Sequence, residues 1–538
     1  MASLRTMSQG PGARLDPDVG YWAERWDPDG SLHPLWYTSH LGDRWVNLTT
    51  LPMAYAALPL WELGGYRAAL LLPMAGAVGA AFAAGAIAAR LGGRRWLAFW
   101  AVGVASPLTI YALDFWEHAV GVALVGWATV LVWDAASGVG AAVAGTGAGS
   151  TVRRAAAAGL LLGLAATMRT ETLVYAAILA AAAALSWIWA RSRRNAAGIA
   201  PKDGTVAAFA GAVAFAVPLV ANDLLERAVL GTSLRASRTA SGAIGAGDAP
   251  TDRITEALYT TSAMEATDAG VVLGVAAAML LALAAWRGDR DRPASDQALA
   301  LVAVAGAAVL FAIRASWGLG FVPGLLAAWP LALMAGAPKN RAGFVVGVAL
   351  AAIPIIAATQ YRGGAGPQWA GRYLLASGLL LTAVGAAALT RLHRAVAAAV
   401  VALAAAVTVF GLAWLSVRSH DVADAVATIE AQGADVVVSG VAHLAREGGA
   451  TYGDRRWLTA TTDERVREAA DVMAEPGADV GSFALVEYAG DGPRDVPEAR
   501  DLDGWQVVAG AGLRLFDGVW LWISTWERVA STEHTFSQ

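Results

Sequence analysis

The stretch AALLLPMAGAVGAAFAAGAIAARLGGRR, Ala68–Arg95, decides what kind of protein this is. No charged residue occurs from Ala68 to Ala89, and Arg90, Arg94 and Arg95 then close the run. A helix of that apolar length crosses a hydrocarbon layer of ~30 Å. Arginines gathered at one end mark the cytoplasmic side.

The pattern recurs along the chain. Apolar runs at 68–89, 96–112, 115–135, 155–168, 172–190, 205–222, 269–286, 297–313, 319–337, 342–358, 373–389 and 395–416 predict an α-helical polytopic membrane protein of about twelve spans. Every second loop is basic: Arg90, Arg94 and Arg95; Arg153 and Arg154; Arg191, Arg193, Arg194 and Lys202; Arg287, Arg290 and Arg292; Lys339 and Arg341; Arg391 and Arg394. These loops hold about 16 positive charges against about 8 in the alternate loops, so the basic side is read as cytoplasmic.

Composition agrees. Charged residues make up 15% of the 538-residue chain, where soluble chains carry roughly 25%. With a mean hydropathy of +0.50, this excludes a single soluble domain, a disordered chain and a fibre. The net charge of −4 offers no basic surface to nucleic acid. The absence of cysteine excludes disulfides, thiol catalysis and cysteine-based metal sites.

Three regions follow. Residues 1–66 form a first extracytoplasmic loop, 67–416 the multi-span region, and 417–538 a small extracytoplasmic α/β domain. Both chain ends then lie outside. Residues 1–66 lack a basic segment followed by an apolar one, so the topology predicts a further helix upstream of Met1, the thirteenth. The short apolar stretch Leu48–Leu60 contains Pro52 and Pro59 and reads as a re-entrant or interfacial helix. The alternative is a true span that turns the N-terminus inward. In the acidic tail, Asp421–Gln432 reads as an amphipathic helix, Ala434–Ser439 as a buried strand and Thr462–Ala474 as a helix. Ser482–Tyr488 reads as a strand, with Trp505–Val508 and Leu513–Trp526 as closing strands.

Ionisable groups at membrane depth are costly and mark sites. After the basic loops are set aside, the remainder are Asp114, Glu117 and His118; Arg169 and Glu171; Arg314; and Arg362 with Arg372. All fall at the outer ends of the expected helices. The first loop adds Asp16 and Asp18, then Asp27 and Asp29 in Asp27-Pro28-Asp29-Gly30, which reads as a turn or as a fragment of a calcium loop. No metal-ligand spacing appears. Aromatic residues beside these carboxylates suit either sugar stacking or packing of the loop onto the membrane.

These residues resemble a family, the GT-C superfamily of glycosyltransferases that use polyprenyl-phosphate sugars. The likeness rests on Ser106-Pro107 before Phe115-Trp116-Glu117-His118, and on Met168-Arg169-Thr170-Glu171 at a helix end. It rests also on Asn222 ahead of Gly231, on Gln368-Trp369 with Gly371-Arg372-Tyr373-Leu374, and on the α/β tail. It implies an acidic catalytic residue in the first outer loop, with Asp16 and Asp18 first in position. This chain departs from the family in showing no helix directly before that residue.

The resemblance implies transfer of a sugar from a polyprenyl-phosphate donor to an extracytoplasmic acceptor glycan, lipid or protein at the cell membrane. Such transfer asks for a base on the acceptor hydroxyl and cations on the leaving phosphate. Arg372, Arg169 and Arg314 are the phosphate candidates. Asp114, Glu117, His118, Glu171, Gln368, Trp369 and Tyr373 are the substrate contacts. No cofactor beyond the lipid-linked sugar is expected, and a divalent metal is not indicated. The alternatives are a flippase of envelope precursors and an inactive relative.

Overall fold

The computed structural model describes residues 1–35, 38–47, 50–137, 148–195, 203–234, 268–316, 333, 339–359, 372–449, 452–488, 500–515 and 520–529. The chain forms two units. One comprises residues 50–228 and 232–412, the other residues 1–49, 229–231 and 413–538. The boundary after the first segment falls at Thr49, where the sequence suggests residue 66.

The larger unit is helical. Among the described residues, eight helices are long and apolar enough to cross a membrane: Leu71–Arg90, His118–Ala136, Gly204–Leu230, Asp268–Arg287, Ala294–Ile313, Ala342–Thr359, Arg372–Arg391 and Arg394–Ala431. Each covers one of the twelve expected runs. The runs 155–168 and 172–190 fall on Ala148–Met168 and Thr172–Asn195, which are helical without meeting the same measure of length and apolarity. The run 319–337 lies outside the described residues except for Leu333.

The run 96–112 is not one helix. It breaks into Arg95–Gly103 and Leu108–Leu113. Pro107 has no N–H to give and would clash with the preceding turn. Polar side chains take up the freed backbone groups. Ser106 Oγ donates to Val102 O at 2.6 Å and accepts from Leu108 N at 3.2 Å, while Thr109 Oγ1 donates to Val104 O at 3.0 Å. Of the stretch Leu48–Leu60, residues 51–60 belong to a longer helix, Leu51–Ala69, which tolerates Pro59 and kinks at Gly64 and Gly65, while Leu48 and Thr49 lie outside the described residues.

Small residues set the helix packing. A methyl group added at Gly76 would stand 2.6 Å from Val120 N, so Leu71–Arg90 lies against the start of His118–Ser137 at a distance only glycine allows. Leu375–Ala388 sits at the centre, with nearly every residue buried. Its Ser377 Oγ lies 2.8 Å from Tyr175 Oη and donates to Ala349 O at 2.9 Å, linking three helices.

The smaller unit holds a five-stranded sheet in which the strands lie in the order Arg456–Thr459, Val436–Ser439, Ser482–Tyr488, Trp520–Arg528 and Trp505–Arg514. The strands are β3 Val436–Ser439, β4 Arg456–Thr459, β5 Ser482–Tyr488, β6 Trp505–Arg514 and β7 Trp520–Arg528. β3 pairs in parallel with β4 and β5, and β7 runs antiparallel to β5 and β6. The helix Asp463–Ala474, capped by Thr462, lies where expected. The short strand β4 was not anticipated. The closing strands are also apportioned differently: Leu513 and Arg514 belong to β6, and β7 begins only at Trp520.

Residues 1–49 fold into this same unit. A two-stranded hairpin, β1 Thr38–Leu41 and β2 Arg44–Asn47, turns at Gly42 with φ of +69°. Leu32 O accepts from Thr459 N at 2.8 Å. Trp22 Nε1 donates to Trp457 O at 3.0 Å, and Ser31 Oγ donates to Glu468 at 2.7 Å. Tyr21, Ala23, Leu32 and Trp45 share one apolar core with Val436, Leu458, Phe483 and Trp526. Tyr21 and Trp45 are therefore core residues of this unit, and Trp22 and Trp26 pack against that core.

Candidate functional site

Two carboxylates stand where helices begin. Glu117 precedes His118–Ser137, and its carbonyl accepts from Gly121 N at 2.9 Å. Glu171 precedes Thr172–Asn195, and its carbonyl accepts from Val174 N at 3.0 Å. The positive end of a helix dipole favours an anion at such a place. Arg169 follows the C-terminus of Ala148–Met168 and lies between the two. Its Nη1 is 3.1 Å from Glu117 Oε1, and its Nε is 2.8 Å from Glu171 Oε1. All three side chains are at most 11% exposed, so removing any one would strand a buried charge.

His118 joins the group through Nε2, 3.4 Å from Arg169 Nη1. Guanidinium only donates, so Nε2 can take this contact only as an acceptor. Arg169 also lies over the Tyr373 ring at 4.8 Å. Arg372 lies over Trp116 at 4.9 Å and over Tyr373 at 5.5 Å. Arg372 forms no ion pair among the described residues, whereas both carboxylates nearest Arg169 are committed to it.

These side chains border a small, partly open cleft of about 10 Å³, lined among others by His118, Gly121, Arg169, Glu171, Tyr175 and Arg372. Arg169 Nη2, Glu171 Oε2 and Arg372 Nε are buried here with no hydrogen-bond partner among the described residues. Buried polar atoms are nearly always paired.

Glu117, His118, Arg169, Glu171, Arg372 and Tyr373, read from distant segments, therefore meet. Asp114 ends the helix Leu108–Leu113 in the adjoining loop and does not line the cleft. Arg314 lies on Ala294–Ser316. Gln368 and Trp369 fall outside the described residues.

Asp16 and Asp18 belong to the smaller unit. Asp18 Oδ1 accepts from Gly20 N at 2.9 Å and Trp45 N at 3.0 Å, pinning the segment to β2. Asp16 Oδ1 accepts from Asp18 N at 3.3 Å and faces Arg44 Nε at 3.6 Å. Asp27 is buried. It accepts from Tyr21 Oη at 2.6 Å and from the backbone of Ser31 and Leu32. Gly30 N donates to Asp27 O at 3.1 Å, so Asp27-Pro28-Asp29-Gly30 is a turn. No cluster of metal-ligating residues occurs among the described residues.

Tyr175 and Gly121 were missed in the sequence. The available signal was spacing, since each lies four positions after a site carboxylate and so shares its helix face. A methyl group at Gly121 would stand 3.1 Å from Arg169 Cγ, so this glycine makes room for the arginine.

No family model, no curated protein and no solved structure matches the chain.

Proposed function

We propose that the chain is an integral membrane glycosyltransferase of the GT-C type. It spans the cell membrane about twelve times and passes a sugar from a polyprenyl-phosphate donor to an envelope acceptor outside the cytoplasm. The observation that carries this reading is Arg372, a cation without a carboxylate partner among the described residues, set on two aromatic faces beside a cleft with unpaired buried donors.

The orientation of the helices supports it. Arg90 grips Asp134 through hydrogen bonds of 2.8 and 2.6 Å. That places the basic end of Leu71–Arg90 level with the C-terminal end of His118–Ser137. His118 begins the latter helix about 24 Å away along its axis. Arg153 and Arg154 lie near the start of Ala148–Met168, and Arg169 follows its end. The basic loops and the cleft are thus at opposite helix ends, which suits a site at the outer leaflet.

Arg372 would receive the leaving phosphate, its planar fork donating two hydrogen bonds. In a site that excludes water this stabilises the departing anion far more than in bulk. Trp116 and Tyr373 hold the guanidinium and present ring faces to a sugar. The break at Val104–Pro107 favours a second reading, a flippase, because transporters build their sites at broken helices.

The test uses the purified protein in vesicles with radiolabelled farnesyl-phosphoryl mannose, glucose and arabinose, and an envelope extract as acceptor. The wild type should move label into the extract, and Arg372→Ala should insert normally and move none. Label crossing the bilayer without transfer would establish the flippase. Wild-type turnover by Arg372→Ala would remove Arg372 from the site.

A further inference from the structure

We infer that Glu171 is the base that takes the proton from the acceptor hydroxyl. This rests on the transferase reading and assigns the one role that reading leaves open. Glu171 is 7% exposed and lines the cleft. Its two oxygens differ. Oε1 is held by Arg169 Nε at 2.8 Å, while Oε2 is buried with no hydrogen-bond partner among the described residues. One oxygen fixes the side chain and the other is left with a lone pair that no described residue takes up.

The rival groups are otherwise engaged. Glu117 is bound to Arg169 and does not line the cleft. His118 does line it, but its Nε2 faces the Arg169 guanidinium at 3.4 Å. Asp18 holds two backbone N–H groups, and Asp16 holds one beside Arg44.

The step balances within the cleft. The acceptor oxygen attacks the anomeric carbon on the face opposite the phosphate, forming the new C–O bond. The bond from that carbon to the phosphate oxygen breaks, and its electron pair leaves on the phosphate beside Arg372. The hydroxyl proton passes to Glu171 Oε2 and is later lost to water. One displacement inverts the anomeric centre.

The experiment compares wild type, Glu171→Gln and Glu171→Asp in the same vesicles, measuring binding and transfer of the three farnesyl-phosphoryl sugars across pH. Glu171→Gln should bind the donor within about twofold of wild type and transfer it at least ~100-fold more slowly. It should also lack the rise of rate with pH that wild type shows. Glu171→Asp, a carboxylate on a shorter arm, should recover part of the rate and the pH limb. Full transfer by Glu171→Gln overturns the assignment. So does loss of binding in step with transfer, which would make Glu171 a support for Arg169. Absence of transfer by the wild type on every donor overturns the transferase reading, and this assignment with it.

Discussion

Arg169 and Glu117, 52 positions apart in the chain, meet at 3.1 Å with neither side chain more than 11% exposed. Glu171 closes the same cation from the other side at 2.8 Å. One buried positive charge thereby holds two helix starts in register around the cleft.

Breaking that contact is costly. Arg169→Met would leave two buried carboxylates without their cation, a loss of about 3–5 kcal/mol. Unfolding of the detergent-solubilised protein by a denaturing detergent should show it. A loss under about 1 kcal/mol, the worth of an exposed pair, would mean that the triad is solvated.

Helix contact near the site depends on individual glycines. Gly76→Ala would drive a methyl group to 2.6 Å from Val120 N, which should cost about 1–3 kcal/mol. Gly79→Ala on the same helix meets Ala123 Cβ at 3.4 Å, an ordinary contact, and should be neutral. Thermal midpoints of the two variants measure the difference, and equal midpoints would count against the packing described.

The smaller unit should weaken in mild acid. Burial lowers the pKa of His33 from 6.5 to about 4, so the fold holds the neutral ring. The contribution is fully present above pH 6.5, the unfolded value, and is lost as pH falls toward 4. The full change is about 3 kcal/mol. Amide exchange in β3 and β5 of the whole protein at pH 7 and pH 5 should show the loss. His33→Phe should reduce the difference, and an unchanged difference would clear His33.

Residues 1–49 and 413–538 share one apolar core, so they must lie on one side of any membrane the helices cross. The chain contains no cysteine, which suits single-cysteine labelling. Asp43→Cys and Asp503→Cys should react with an impermeant maleimide on intact cells. Asp291→Cys, in a basic loop, should react only after permeabilisation. Opposite labelling of Asp43→Cys and Asp503→Cys would contradict the shared core.

Much of the helical unit was legible because apolar length is a local property. Eight of the runs needed only their own residues to be recognised. The break before Leu108 was written in Ser106-Pro107, yet the surrounding hydropathy concealed it. In the smaller unit, Ser482–Tyr488 could be read directly from its buried run. β4 could not, because Arg456–Thr459 is short and owes its place to pairing with β3.

The cleft was legible as a list of residues and not as an arrangement. Glu117, His118, Arg169, Glu171 and Arg372 stand out as charges beside apolar runs, because burying charge is expensive and so conspicuous. That Arg169 is neutralised by two carboxylates while Arg372 meets none among the described residues depends on distances between segments far apart in the chain. Asp16 and Asp18 looked equally available in the sequence, and only the fold commits them to backbone N–H groups and Arg44.

By itself the sequence determined where eight of the apolar helices run and which of the loops between them are basic. The tertiary structure alone decided which helices touch, which carboxylate holds which arginine, and that the first segment packs into the core of the last. Hydropathy and turn chemistry act within a few residues. Helices rich in alanine, glycine and leucine are apolar on every face, so no stripe marks the partner side. That choice rests on close fits such as Gly76 against Val120 and Gly121 against Arg169, which exist only once the segments are brought together.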